Sequence, residues 1–162
     1  MPTNTPKDSG QRDASIVRCP HCHKANRVPR SARGTPRCGS CREPLAWLVD
    51  ATPASFDDEL RASVPVLVAL WAPWCAPCRA MAPALEQLAR ERAGRLKVVK
   101  LDVDAAPAIA RRFDVQGIPL LVLTREGTEL ARLTGAAPLP HLQAWLDSQL
   151  TLAGGADRAR AD

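Results

Sequence analysis

Tyrosine is absent from this 162-residue chain, phenylalanine occurs twice, and the first 48 residues hold one aromatic side chain, Trp47. That N-terminal stretch is also poor in large aliphatics. So little apolar surface cannot support a core of its own, and a folded structure there needs a cross-link or a metal. No run of 18 apolar residues occurs anywhere, and residues 1–15 lack the apolar segment that an export signal requires. These absences predict a cytoplasmic protein with no membrane association. Residues 1–48 carry nine Lys/Arg against three Asp/Glu, whereas the rest carries 13 against 14. A basic face without aromatic rings to stack on bases argues against nucleic-acid binding and for a solvated surface.

Six cysteines are present, as three C-x-x-C pairs. Cys19/Cys22 and Cys38/Cys41 are separated by fifteen residues rich in Pro, Gly and Arg. Four thiolates at this spacing form a tetrahedral cage of the zinc-ribbon or rubredoxin kind that selects zinc or iron, and zinc is the default ion for a cage without an aromatic shell. The cage would supply the staple that the aromatic-poor segment needs. His21 and His23 flank the first knuckle and read as solvent-facing bystanders beside four available thiols. Gly39 is the residue expected to take the left-handed backbone that wraps the metal.

The third pair, Cys75/Cys78, follows the continuously apolar run Val66–Trp71, which predicts a strand buried on both faces. Two thiols one turn apart at a strand-to-helix junction form a reversible disulfide. Orphan amides and the helix dipole favour a thiolate on Cys75, so it is the expected nucleophile, exposed, with Cys78 the shielded resolving thiol. Pro77 stiffens the first turn at no hydrogen-bonding cost, and Trp71 and Trp74 suit a dock for a polypeptide substrate. A static bridge or half of a metal site is the competing reading, but no fourth pair exists to complete such a site.

Around these motifs the pattern predicts strands at Ile16–Arg18, Ala25–Val28, Leu45–Val49, Val66–Trp71, Leu96–Val103, Leu120–Thr124 and Thr128–Leu133. Helices are expected after Thr52-Pro53, from Cys75 through a kinking Pro83, over Pro107–Phe113 and over Pro138–Leu150. A turn at Gly34–Arg37 delivers the second knuckle. The expected organisation is a disordered arm (1–15), a four-cysteine zinc-binding module (16–44), an α/β domain (45–150) and a flexible tail (151–162).

Taken in order and spacing, Trp71-Ala-Pro-Trp-Cys-Ala-Pro-Cys-Arg79, Met81-Ala-Pro83, Lys100-Leu-Asp-Val-Asp104, Gly117-Ile-Pro119, Arg125-Glu-Gly127 and Thr134-Gly-Ala136 resemble the thioredoxin family. The four-cysteine extension is similar to that of its zinc-containing bacterial members. The resemblance implies a thioredoxin fold, a central mixed β-sheet flanked by helices, preceded by a zinc-ribbon-like module. It also implies reduction of protein disulfides, re-reduction by an NADPH-dependent thioredoxin reductase, and a cis bond before Pro119. Ala76, Pro77, Gly117, Ile118 and Gly135 would join the tryptophans in the docking surface. No G-x-G-x-x-G follows a strand, so no bound nucleotide or flavin is expected and electrons must come from a partner.

Two departures from the family stand out. Ala69 replaces a buried aspartate thought to assist proton transfer at the resolving cysteine, which leaves water or Lys100 to help. Ala76 replaces a glycine between the cysteines. A monomer is expected. A zinc-ribbon adaptor or redox-regulated holdase, using the same fold as a scaffold, is the alternative function; two intact thiols argue against it.

Overall fold

The computed structural model describes residues 14–29 and 36–159, with side chains to residue 155. Most of the arm and the Gly34–Thr35 half of the predicted turn lie outside the described residues. Strands β1 (Ala14–Arg18) and β2 (Ala25–Pro29) form an antiparallel pair. Then follow β3 (Leu48–Ala51), α1 (Phe56–Glu59), β4 (Val66–Trp71), α2 (Ala76–Glu91), β5 (Lys97–Asp102), α3 (Pro107–Arg112), β6 (Leu120–Arg125), β7 (Thr128–Thr134) and α4 (Leu139–Ala159).

The main sheet has the order β3-β5-β4-β6-β7, with β3, β5 and β4 parallel and β6 and β7 antiparallel additions. Its centre is β4, whose first five residues are all buried, because helices cover both faces and leave no solvated side for polar residues to occupy. Alternation along the strand divides the core in two. Val66, Val68 and Leu70 face α1 and α3, where Phe56 and Phe113 meet edge-to-face at 5.8 Å. Leu67 and Ala69 face α2 and α4, packing with Met81, Leu85, Leu142 and Leu146.

The four-cysteine module does not stand apart from this sheet. Val17, Cys19, Val28, Cys38, Leu45 and Trp47 belong to the same cluster as Phe56, Val68 and Leu70. The predicted strand at Leu45–Val49 begins instead at Leu48. Its expected first half is held by the module: Leu45 N donates to the Pro36 carbonyl (2.7 Å), and Arg37 bridges to Pro44. A buried polar link reinforces the joint. Ser15 Oγ donates to Glu59 Oε2 (2.7 Å), which also receives Lys97 Nζ (2.5 Å), and Lys97 lies 5.1 Å from the ring centroid of the fully buried Trp47.

The last helix runs to Ala159, nine residues beyond the predicted Leu150, so residues 151–159 are helical rather than tail. Gly154-Gly155 lowers helix propensity without ending the helix, while the Thr151 hydroxyl bonds back to the Asp147 carbonyl at 2.8 Å. Helix α2 continues through Pro83 to Glu91.

Candidate functional site

The buried β4 ends at Trp71, and the chain turns through Ala72–Trp74 into α2. Cys75 is the N-cap, with extended backbone (φ −81°, ψ 103°), and its Sγ accepts the Cys78 amide N–H at 3.3 Å. A sulfur thus fills the capping role usually taken by a hydroxyl or carboxylate oxygen. Pro77 sits in the first turn, where its missing N–H leaves no bond unmade. Cys75 and Cys78 form a disulfide with Cα atoms 5.3 Å apart.

The expected contrast of an exposed and a shielded thiol is not observed in this disulfide. Cys75 is 4% and Cys78 5% exposed, because Trp71, Ala72, Val103 and Ile118 close around both. Direction separates them instead. Cys75 Sγ lies 3.9 Å from the Ile118 carbonyl oxygen, beside the cis Ile118–Pro119 bond. Cys78 lines a cavity of about 120 Å³ between β4, α2 and β5.

Around Cys75 the surface combines exposed Trp74, Ala76, Pro77 and Gly117 with half-buried Ile118 and Gly135. Gly135 has φ +93°, which favours glycine, and its amide donates to the Pro119 carbonyl at 2.9 Å. Trp74 is 66% exposed yet tethered, its Nε1 donating to Asp104 Oδ2 at 2.6 Å. Arg79 closes the turn from the other side by donating to the Pro73 carbonyl at 2.7 Å. Neither Asp104 nor Arg79 was expected to act here, although both lie inside the quoted motifs. Lys100 is the cross-strand neighbour of Ala69, with Nζ 4.6 Å from the centroid of the Trp71 ring and 3.9 Å from Asp50 Oδ1. A surface hollow of about 920 Å³ between α1, α3 and the β6–β7 turn contains no cysteine.

The other four cysteines converge as well. All four Sγ atoms lie within 4.8 Å of one another, with Cys19–Cys41 and Cys22–Cys38 separations of 3.5 Å. Four sulfurs bound at about 2.3 Å to one tetrahedral ion stand about 3.8 Å apart, so the set fits a metal. The two knuckles are built alike: His23 N and Arg42 N donate back to the Cys19 and Cys38 carbonyls, each at 3.0 Å. The left-handed positions are therefore His23 (φ 59°) and Arg42 (φ 66°), after each pair, and not Gly39. Gly39 instead donates its amide to Asn26 Oδ1 at 2.9 Å. His21 and His23 are exposed and lie outside the cluster.

Backbone amides prepare these sulfurs for negative charge. The Cys22 amide lowers the Cys19 thiol, and the Cys41 and Ser40 amides bring Cys38 down to about 6. The Glu43 amide also lowers Cys41, but burial and shared protons with the three neighbouring thiols outweigh it and push Cys41 up to about 12. Adjacent sulfurs with such opposed demands share protons that a bound cation would replace.

A disulfide capping a helix after a central parallel strand, opposite a cis proline, defines a thiol–disulfide oxidoreductase of the α/β class. The Thioredoxin family model matches residues 47–148. Thioredoxin C-3 of Corynebacterium nephridii is 39% identical over 139 residues, covering 83% of this chain and 95% of that protein, an extent that takes in at least the second knuckle. Thioredoxin C-2 of the same organism is 42% identical over 106 residues, 65% of this chain and 98% of its own length. The thioredoxin of Pseudomonas aeruginosa is 42% identical over 104 residues, 64% of this chain and 96% of its own. The chain belongs to the thioredoxin family, and with Cys75 and Cys78 in place it is a protein-disulfide reductase.

Proposed function

We propose that Cys75 is the attacking thiol and Cys78 the resolving thiol in reduction of client-protein disulfides. The observation that supports this most directly is the Cys78 amide aimed at Cys75 Sγ, because a hydrogen bond to sulfur at a helix N-terminus stabilises the thiolate. Cys75 thiolate attacks one client sulfur, the client's S–S bond breaks, and a mixed disulfide forms while the other client sulfur leaves as thiolate. Cys78, once deprotonated, attacks Cys75 Sγ. The Cys75–Cys78 bond forms and the reduced client departs with the second proton.

Client backbone in extended form docks beside Ile118, Pro119 and Gly135, flanked by Trp71, Trp74, Ala76, Pro77 and Gly117. Lys100 supports proton transfer from behind Cys78. A flavoprotein thioredoxin reductase drawing on NADPH restores the dithiol, and the chain itself holds no nucleotide or flavin. Zinc on Cys19, Cys22, Cys38 and Cys41 supplies charge neutralisation and a cross-link, and no electron. The protein acts as a cytoplasmic monomer, with the zinc module over 16–44 and the catalytic domain over 45–150. Among the described residues no helix is long and apolar enough to cross a membrane.

Insulin-disulfide reduction by the wild type and by Cys75→Ser tests the assignment. The variant is expected to lose turnover; equal activity in both proteins would overturn the redox role and favour a scaffold.

A further inference from the structure

The resolving step needs a proton acceptor at Cys78, and among the described residues lining the cavity behind that sulfur none supplies one. The cavity behind it is walled chiefly by Ala69 and Trp71 of β4, Cys78 and Met81 of α2, and Lys100 of β5. Its described lining contains no carboxylate, imidazole or hydroxyl. Lys100 is a donor to any partner and not an acceptor while it carries its charge. Arg79, also in the wall, is already bonded to the Pro73 carbonyl at 2.7 Å.

The same cavity has room for a small anion, and two cationic residues, Lys100 and Arg79, contribute to its wall. Its volume is about 120 Å³, room for several water molecules at about 30 Å³ of liquid volume each. It is apolar except for the cations. The Lys100 side chain is only 22% exposed and is held over the Trp71 ring. Its carboxylate neighbour, Asp50, is loose at 3.9 Å and is itself 82% exposed. A largely desolvated ammonium with so distant and hydrated a counter-ion attracts a second anion into the low-dielectric space beside it. Ala69, directly across the ladder from Lys100, is the small side chain that keeps this space open.

We propose that this cavity binds a small carboxylate of three or four heavy atoms, of the formate, acetate or bicarbonate class, which serves as the base for Cys78. One oxygen pairs with Lys100 Nζ and the other takes the proton from Cys78 Sγ, giving the neutral acid and a thiolate. That thiolate attacks Cys75 Sγ, the Cys75–client bond breaks, the Cys75–Cys78 disulfide forms, and the acid returns its proton to the departing client thiolate. No oxidant or reductant is required beyond the mixed disulfide itself. This inference rests on the resolving role proposed for Cys78.

The test follows decay of the mixed disulfide in single-turnover exchange at constant pH and ionic strength, replacing sodium chloride with sodium formate. A saturable acceleration of about tenfold is expected, below the roughly 10²–10⁴-fold of a built-in general base because this base is not covalently held. Acetate should act similarly, and pivalate, too large for the cavity, should not. Ala69→Leu, which fills the space, and Lys100→Met, which removes the cation, should each abolish the saturable response. Ala69→Asp should exchange faster than the parent and ignore formate. Binding is read separately in the oxidised wild type, as a saturable shift of the 13C-formate resonance that Lys100→Met loses, so the result does not depend on how well Ala69→Leu folds. A linear acceleration shared by formate and pivalate, or no shift of the formate signal, would overturn the proposal. Absence of any exchange with or without formate would instead overturn the assignment of Cys78 as the resolving thiol.

Discussion

The two cysteine sites begin from the same local device and diverge at the next residue. In each, a main-chain amide just after a cysteine points at its sulfur: Ser40 N to Cys38 at 3.4 Å, Cys78 N to Cys75 at 3.3 Å. After Cys22 and Cys41 the chain takes a left-handed step at His23 and Arg42 and turns back, which brings a second knuckle within reach. After Cys78 it continues as a helix to Glu91, and the pair faces Ile118 and Pro119 instead of two further sulfurs. Whether a C-x-x-C joins a four-sulfur cluster or stands alone as a redox pair therefore follows the backbone that comes after it.

Removing the metal should strain this comparison most. A structural ion of this type contributes on the order of 10 kcal/mol to folding of its module. Elemental analysis of protein purified without added metal is expected to give one zinc per chain. Because the module shares its core with the main sheet, chelation should also lower the melting temperature of the whole domain. A folded, metal-free module would refute the cage. At the other site, Cys78→Ser should stop turnover and accumulate client protein linked to Cys75. Mass spectrometry finding the adduct mainly on Cys19, Cys22, Cys38 or Cys41 would mean that the two sites are not chemically distinct.

A smaller effect is expected at the joint between them. Glu59→Ala leaves Lys97 buried without its carboxylate, a change of about 3–5 kcal/mol. Denaturant unfolding should show it as a lower midpoint, with Ser15→Ala costing about 1 kcal/mol through the lost hydrogen bond alone. If both variants matched the parent, the module and the sheet would be energetically independent despite their contact. The smallest effect belongs to the Glu129–Arg132 pair on β7. The Arg132 guanidinium lowers the Glu129 carboxyl below its usual range, so the folded state keeps that charge to lower pH than the unfolded chain. Its stabilisation is complete above about pH 4.3, the unfolded value, and is lost as pH falls through the lowered folded value. Glu129→Gln should thus cost under about 1 kcal/mol at pH 7 and converge with the parent near pH 2.

Much of the catalytic half was legible because its signals are local. The apolar run Val66–Trp71 argued for a doubly covered strand, and Arg125-Glu-Gly127 made a tight hairpin whose Glu126 and Gly127 both take positive φ. What remained hidden depends on residues far apart in the chain. Glu59 and Lys97 are 38 positions apart, and neither carries a pattern that marks it as buried. Leu45–Trp47 read as the first half of a strand because its apolar residues suit one, yet Pro36 and Pro44 tie that segment to the second knuckle. The near-equal burial of the two redox cysteines was likewise beyond local reasoning, since Ile118 and Val103 come from other elements to close over them.

The order of strands leaves β3 and β7 at the two margins of the sheet. A margin offers unpaired main-chain groups on which another copy of the protein could add a strand. On β7 the side chains of Glu129 and Arg132 stand at that margin, paired with each other and charged. On β3 the strand is four residues long and β1 of the four-cysteine module lies against it. The module thus acts as a fender for a sheet that would otherwise end in a bare strand with one charge, Asp50, and the first sign of a damaged cage should be protein that begins to self-associate while its redox pair is still intact.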